Sequence, residues 1–485
     1  MHTKPSLRTV RSLIAVACTL ACLSAEAATI KVTSRDPAGV GFNDPTPVKP
    51  VGGNMGTTLG EQRMNVYKHV AAIWGSYLES DVEITVSAGW ENLACTSTGA
   101  TLGSAGAWNI WLLTEEGQAD TIYPQALANK LLGFNLTDGR PENATGYRNV
   151  DIKTQFNIRL GQPGCLDGSP FYLGLDGNEG GGVDFAATLL HELGHGLGFS
   201  VLGVDNTTGT RVYGYPSIWE RFMYDNTAKK TWLNMSNAER KASAINPEQL
   251  AWLGQNAVNG AAITLSPQPV VQSASPAGPV PTAPYSASAF GPAVPSNGKL
   301  GALAVITTQA GELGPGCSPF NAANAAATKG KVPIIERGGC NFALKVKNAQ
   351  DVGAVGAILV NNVGGSFTPG GADSSIRIPS VGVTREDGAI LKAAVAAAKP
   401  YGSRALAGQV TATLAIDPSR KAGADRAGRP LLYTPNPLVS GSSVSHFDVS
   451  AVPNLLMEPS INNDLTLKVN PPKDLTLPLL KDLGW

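Results

Sequence analysis

Five histidines are all this 485-residue chain holds, and two of them, His191 and His195, stand four apart in TLLHELGHGLGFSV (188–201). On a helix that spacing sets both rings on one face, about 6 Å apart at the Cβ atoms. Two rings so placed can share one small cation. A pair of neutral imidazoles suits zinc, which in catalytic sites keeps one position open for water. Glu192 adjoins His191 and so points to the flank of the metal. A general base must stand there to take a proton from an activated water. The ion would supply Lewis acidity toward a peptide carbonyl. The plain alternative is a helix carrying two surface histidines.

A site of this kind needs a third protein ligand. His2 belongs to a leader segment, and His69 lies on a predicted helix, away from most of its apolar stripe. That leaves His446, in SSVSHFDVSAVPNLLMEPS (442–460). The rival is Glu220 in SIWERF, because a glutamate downstream of the second histidine completes a different class of zinc site. Asp448 is a candidate to orient a ligand histidine, although such an Asp more often caps a turn. The aromatic run YPSIWERFMYD (215–225) offers either a specificity pocket or core packing.

The elements that must position these groups are legible in the hydrophobic pattern. ATIKVTSRD (28–36), DVEITVSAGW (81–90) and DIKTQFNIRL (151–160) read as strands, FYLGL (171–175) as a short one. LGEQRMNVYKHVAAIWGSYLES (59–80) reads as a helix, with Met64, Tyr67, Ala71, Trp74 and Leu78 three or four apart. Asp184 is placed to cap the motif helix, and Gly198 to end it. SPQPVVQSASPAGPVPTAPYSASAFGPAVPS (266–296) is rich in Pro, Ser and Ala and reads as linker with little regular structure. Alternating strands and helices then run to GQVTATLAI (408–416).

Bulk composition narrows the class. Lys+Arg and Asp+Glu are both 37, so no basic excess argues for nucleic acid or an anionic membrane surface. Lys4, Arg8 and Arg11, the apolar SLIAVACTLACLS and Ala25-Glu26-Ala27 read as a signal peptide, residues 1–27, which implies a secreted or periplasmic protein. A membrane anchor and a lipoprotein signal at Cys22 are the weaker readings. No later apolar run reaches the length of about 18 residues that a span requires. Four cysteines remain, Cys95, Cys165, Cys317 and Cys340, and an even count in an exported chain suggests two disulfides. Pairing Cys95 with Cys165 and Cys317 with Cys340 keeps each bridge within one predicted domain.

VPIIERGGCNFALKVKNAQDVGAVGAILVNN (332–362) and IPSVGVTREDGAIL (378–391) resemble the protease-associated (PA) domain, over roughly residues 290–416. That non-catalytic module accompanies several unrelated exported peptidases, so the resemblance implies a peptidase without choosing its chemistry. HELGHGLGF (191–199), SHF (445–447), LLMEP (455–459) and DLTLPLLKDLGW (474–485) in turn resemble the leishmanolysin-like branch of the metzincins. In the common metzincin pattern the third histidine falls where Val201 stands; in this branch it follows an insertion, in a Ser-His-aromatic stretch. The resemblance implies that His191, His195 and His446 bind one Zn2+, that Glu192 is the base and that Met457 underlies the metal. Two features depart from it. The insertion is far longer and holds the PA domain, and no long pro-segment separates Ala28 from the first helix.

The expectation is an α+β chain: a zincin-like catalytic domain with a mixed twisted sheet and an active-site helix (28–265 and 426–485), interrupted by a linker and an αβ PA domain (266–425). Its function would be zinc-dependent endopeptidase action on proteins or peptides, as a monomer, with substrate extended along an edge strand. Two alternatives stay open: an exported binding protein on a protease-derived fold, and a PA-containing aminopeptidase with two metals, which needs more Asp, Glu and His ligands than this His-poor chain offers.

Overall fold

The computed structural model describes residues 27–138, 149–294, 298–371, 373–398, 408–461 and 465–485. The expected signal segment lies outside these residues but for Ala27, which bridges to Glu79. Among the described residues, no helix is long and apolar enough to cross a membrane.

The histidine-bearing part is built on a four-stranded sheet. Strands β1 (Ile30–Ser34), β2 (Ile84–Glu91), β3 (Gly103–Ala107) and β4 (Ile152–Asn157) lie in the order β1-β2-β4-β3. The first three in that order run parallel, and β3 lies antiparallel on the edge, with Gly103 opposite Phe156. Helix α1 (Leu59–Tyr77) starts at Thr58, whose side chain and that of Glu61 form a reciprocal capping box. Val66, Tyr67, Val70 and Trp74 form its buried face. Helix α2 (Phe185–Gly196) carries the His-Glu-x-x-His motif. Asp184 caps it as expected, accepting from the Ala186 and Ala187 N–H groups. The helix stops two residues before Gly198, which follows with φ +118°.

Packing fixes α2 in place. The Trp74 indole donates to the Leu190 carbonyl, joining α1 to α2. Phe185 meets Tyr67, Trp90, Phe156 and Phe171 with ring centroids between 4.9 and 5.9 Å. A fully buried aromatic of this kind contributes about 1.5–3 kcal/mol. Gly196 lets the helix approach the sheet, since a Cβ there would lie 2.3 Å from the Ile152 side chain. Leu432, Val444, Phe447, Leu455, Leu456, Met457 and the apolar face of the helix Thr476–Leu483 belong to the same buried cluster as Tyr67 and Phe185. The last segment of the chain thus shares its core with the first.

The PA region stands on an eight-stranded sheet with its own cores on either face. Its strands are β5 (Pro267–Ala274), β6 (Lys299–Val305), β7 (Val332–Glu336), β8 (Ala357–Val360), β9 (Ser380–Val383) and β10 (Thr411–Lys421). The order β5-β10-β6-β7-β8-β9 is closed at its two ends by the short strands Ala283–Pro284 and Ser286–Ala287. Strands β7, β8 and β9 pair in parallel; helix α3 (Phe342–Asp351) connects β7 to β8, and helix α4 (Arg385–Ala397) follows β9. One expectation is corrected here. The stretch read as linker opens with regular structure, because β5 pairs along its length with β10, from Gln268–Asp417 to Ala274–Thr411. Val270 and Val271 bury their side chains despite the flanking prolines. Both disulfides form as expected, Cys95–Cys165 and Cys317–Cys340.

Candidate metal centre

The three histidines named from the sequence meet. His195 Nε2 lies 3.1 Å from His191 Nε2 and 3.1 Å from His446 Nε2, although His446 is 251 residues further along the chain. Each ring turns its other nitrogen to a backbone carbonyl: His191 Nδ1 to Leu456 at 2.7 Å, His195 Nδ1 to Phe199 at 2.7 Å, His446 Nδ1 to Ser442 at 2.8 Å. A carbonyl oxygen only accepts, so each neutral ring keeps its proton on Nδ1 and presents a bare Nε2. Burial pushes the His191 ring down to about 4 and the His446 ring down to about 3, and burial with the other two rings holds His195 well below its ordinary value. All three therefore stay neutral at pH 7.

Three bare nitrogens this close have no proton to share, so their lone pairs repel unless a cation sits among them. Tetrahedral zinc with bonds of about 2.0–2.1 Å sets its ligand nitrogens about 3.3 Å apart, and the observed spacing fits that. Among the described residues, these three form a group of ligand atoms suited to a metal ion.

The local chain explains the convergence. Ser445 Oγ accepts from the Val201 N–H at 3.1 Å, so the segment just after α2 docks directly on the Ser-His-Phe stretch. The Trp219 indole donates to the Val444 carbonyl, and the Phe447 N–H to the Met457 carbonyl. Met457 is fully buried under α2, where a Cβ on Gly194 would lie 2.9 Å from its sulfur. The turn that holds Met457 also supplies the Leu456 carbonyl that orients His191.

Glu192 is buried beside β3. Burial raises its carboxyl to about 8, partly offset by the Ala105 backbone N–H. A dication next to it would draw it back toward the carboxylate.

Other expectations move. Glu220 is fully buried away from the histidines, paired with Arg211 at 2.9 Å and accepting from the Ser217 N–H. Asp448 does not orient a ligand; it caps a turn by accepting from the Ser450 N–H and hydroxyl. Burial, then the charge of Glu248, raises Asp448 to about 7. Trp219 of the aromatic run is fully buried, its ring 4.6 Å from that of Trp252 and 4.9 Å from that of Phe199. His69 lies half-buried on α1.

Two contributors were missed. Asp474 accepts from the Leu456 N–H at 2.6 Å and the Thr476 N–H at 2.7 Å, and so holds the turn beneath the site. Its place two residues before a helical stretch was the available signal. Ala105, in GSAGA, gave no signal, because small residues show no period.

Comparison with known proteins identifies one module: residues 298–391 match the PA domain. Leucine aminopeptidase 2 of Trichophyton equinum is 43% identical over 74 residues, 15% of this chain and 15% of that one. Its namesake from Arthroderma otae is 46% identical over 74 residues, with the same shares. The chain thus spans only about 15% of the length of the curated relatives it matches. Among solved structures, an aminopeptidase from Aneurinibacillus sp. strain AM-1 is 20% identical, covering 41% of this chain and 42% of that one, with a TM-score of 0.21. A zinc aminopeptidase from Bacillus subtilis is 24% identical, covering 36% and 37%, with a TM-score of 0.19. The relatives named here are aminopeptidases, and the metzincin likeness draws no support from them.

Proposed function

We propose that this chain is a PA-containing zinc peptidase in which His191, His195 and His446 hold one ion and Glu192 is the general base. The observation that carries this reading is the convergence of three bare imidazole nitrogens from two distant stretches of chain. Bound zinc would supply the Lewis acidity that activates water and polarises a carbonyl. Glu192 would take the proton released, hold it on its carboxylate and pass it to the leaving amine. The free edge of β3 carries Ala105, the residue beside Glu192, and an extended substrate pairs naturally with such an edge. That geometry suits cleavage within a chain, so our main reading is an endopeptidase of metzincin type, exported and monomeric. Its catalytic unit would comprise residues 28–265 and 426–485, with 266–425 inserted.

The leucine aminopeptidase relatives favour a second reading, release of N-terminal residues, with a second ion at the site. The experiment compares the wild type with Glu192→Ala on a mixture of unfolded proteins, with products read by mass spectrometry. Internal fragments from the wild type alone support the main reading. Stepwise loss of N-terminal residues establishes the second. Zinc-free protein that cleaves nothing points to a binding protein instead.

A further inference from the structure

Lys345 lies in the PA insert with its side chain wholly buried. Its ammonium donates to the Pro315 carbonyl at 2.5 Å and stands 3.5 Å from Cys317 Sγ. The two carboxylates that influence it, Glu312 and Glu336, act at longer range and are engaged elsewhere. Glu312 accepts from the Gln309 and Ser318 N–H groups, and Glu336 pairs with Lys392. An ammonium has three protons to place. Among the described residues this one has a single oxygen acceptor, a sulfur and no adjacent counter-charge. Burying a cation on such terms is costly, and a thiolate at Cys317 would relieve it.

We propose that the Cys317–Cys340 disulfide is an exchange site for low-molecular-weight thiols, with Cys340 the sulfur attacked and Cys317 the leaving group received by Lys345. An incoming thiolate RS⁻ bonds to Cys340 Sγ, the S–S bond breaks, and Cys317 departs with the electron pair as a thiolate that accepts from the Lys345 ammonium. A second RS⁻ attacks the mixed disulfide and releases RSSR and the Cys340 thiolate. Two thiols are oxidised and one disulfide is reduced. A cation beside a thiol lowers its pKa, and a lower leaving-group pKa speeds the exchange. Both sulfur-bearing residues are half-buried, and Arg337, exposed three residues before Cys340, adds positive charge to the approach of an anionic thiolate. The other disulfide is an internal control. Cys165 is buried, and the polar side chain 3.5 Å from its sulfur is the neutral Asn157 amide.

The test exposes the whole chain to glutathione buffers of rising reducing strength, quenches with an alkylating reagent and maps the peptides. We expect Cys317 and Cys340 to be labelled while Cys95 and Cys165 stay paired, with glutathione trapped on Cys340. Lys345→Met should slow opening of this disulfide about tenfold, and Lys345→Arg should largely restore it. Simultaneous opening of both disulfides, glutathione on Cys317, or an unchanged rate in Lys345→Met would each overturn the proposal. If Lys345→Met fails to fold, the position of glutathione in the wild type decides alone.

Discussion

The central strands of the PA insert find their partners close by in the chain, whereas the metal centre of the histidine-bearing body gathers its ligands from far apart. In the insert, β7, β8 and β9 pair in sequence order, and the disulfide joins cysteines 23 residues apart. In the body, one cluster of ligand atoms gathers residues 251 apart. The junction shows how both hold at once. Ser266 and Ala422 are joined by a backbone hydrogen bond, and Lys421 donates to the Leu265 carbonyl. The chain therefore leaves the body and returns at nearly one point. Closing a long excursion costs only slowly more as it lengthens, so a complete module fits between the second and third histidines without moving either.

That contrast can be broken, and the largest effect belongs to the body. His446→Ala removes one of three nitrogens, and zinc content should fall from one ion per chain to near zero, with loss of hydrolysis by about 10³-fold or more. Mass spectrometry of metals on purified protein checks it. Retained zinc would mean that the third ligand is elsewhere. Next is Asp474→Ala, which frees the Leu456 N–H and loosens the carbonyl that orients His191. Loss of such supporting contacts typically weakens metal binding about 10–100-fold, readable by chelator competition.

The disulfides sharpen the comparison. Replacing Cys317 and Cys340 with serine should cost about 3 kcal/mol and leave zinc content unchanged, whereas removing Cys95–Cys165, which closes a longer loop, should cost about 4 kcal/mol within the body. Denaturant melts followed with a zinc readout would separate the two. The smallest effect is on pH. Lys230, then the Ser236 cap, holds Glu239 down at about 2. Its folded value lies below its unfolded value, so its contribution is present above about pH 4.5 and fades as pH falls through 2. Glu239→Gln should flatten that part of an acid melt; an identical acid limb in both proteins would contradict the assignment.

The same contrast explains what the sequence disclosed. The α2 motif, its Asp184 cap and the PA strands were legible because each rests on residues close in sequence. His446 became legible only through the company of Met457, since a lone loop histidine carries no pattern. Three features escaped. β5 was hidden by Pro267 and Pro269, which remove two ladder donors and mimic a linker. β3 is built of small residues, so its edge beside Glu192 had no period to detect. Glu220 resembled a ligand because sequence distance alone does not reveal that Arg211 already neutralises it.

The central claim is one ion on three histidines. The most direct measurement is an anomalous difference map at the zinc absorption edge from crystals of the zinc-loaded chain. The account predicts a single peak, about 2.0–2.1 Å from the Nε2 atoms of His191, His195 and His446. Two peaks about 3.5–4 Å apart, or one peak lacking His446, would contradict it.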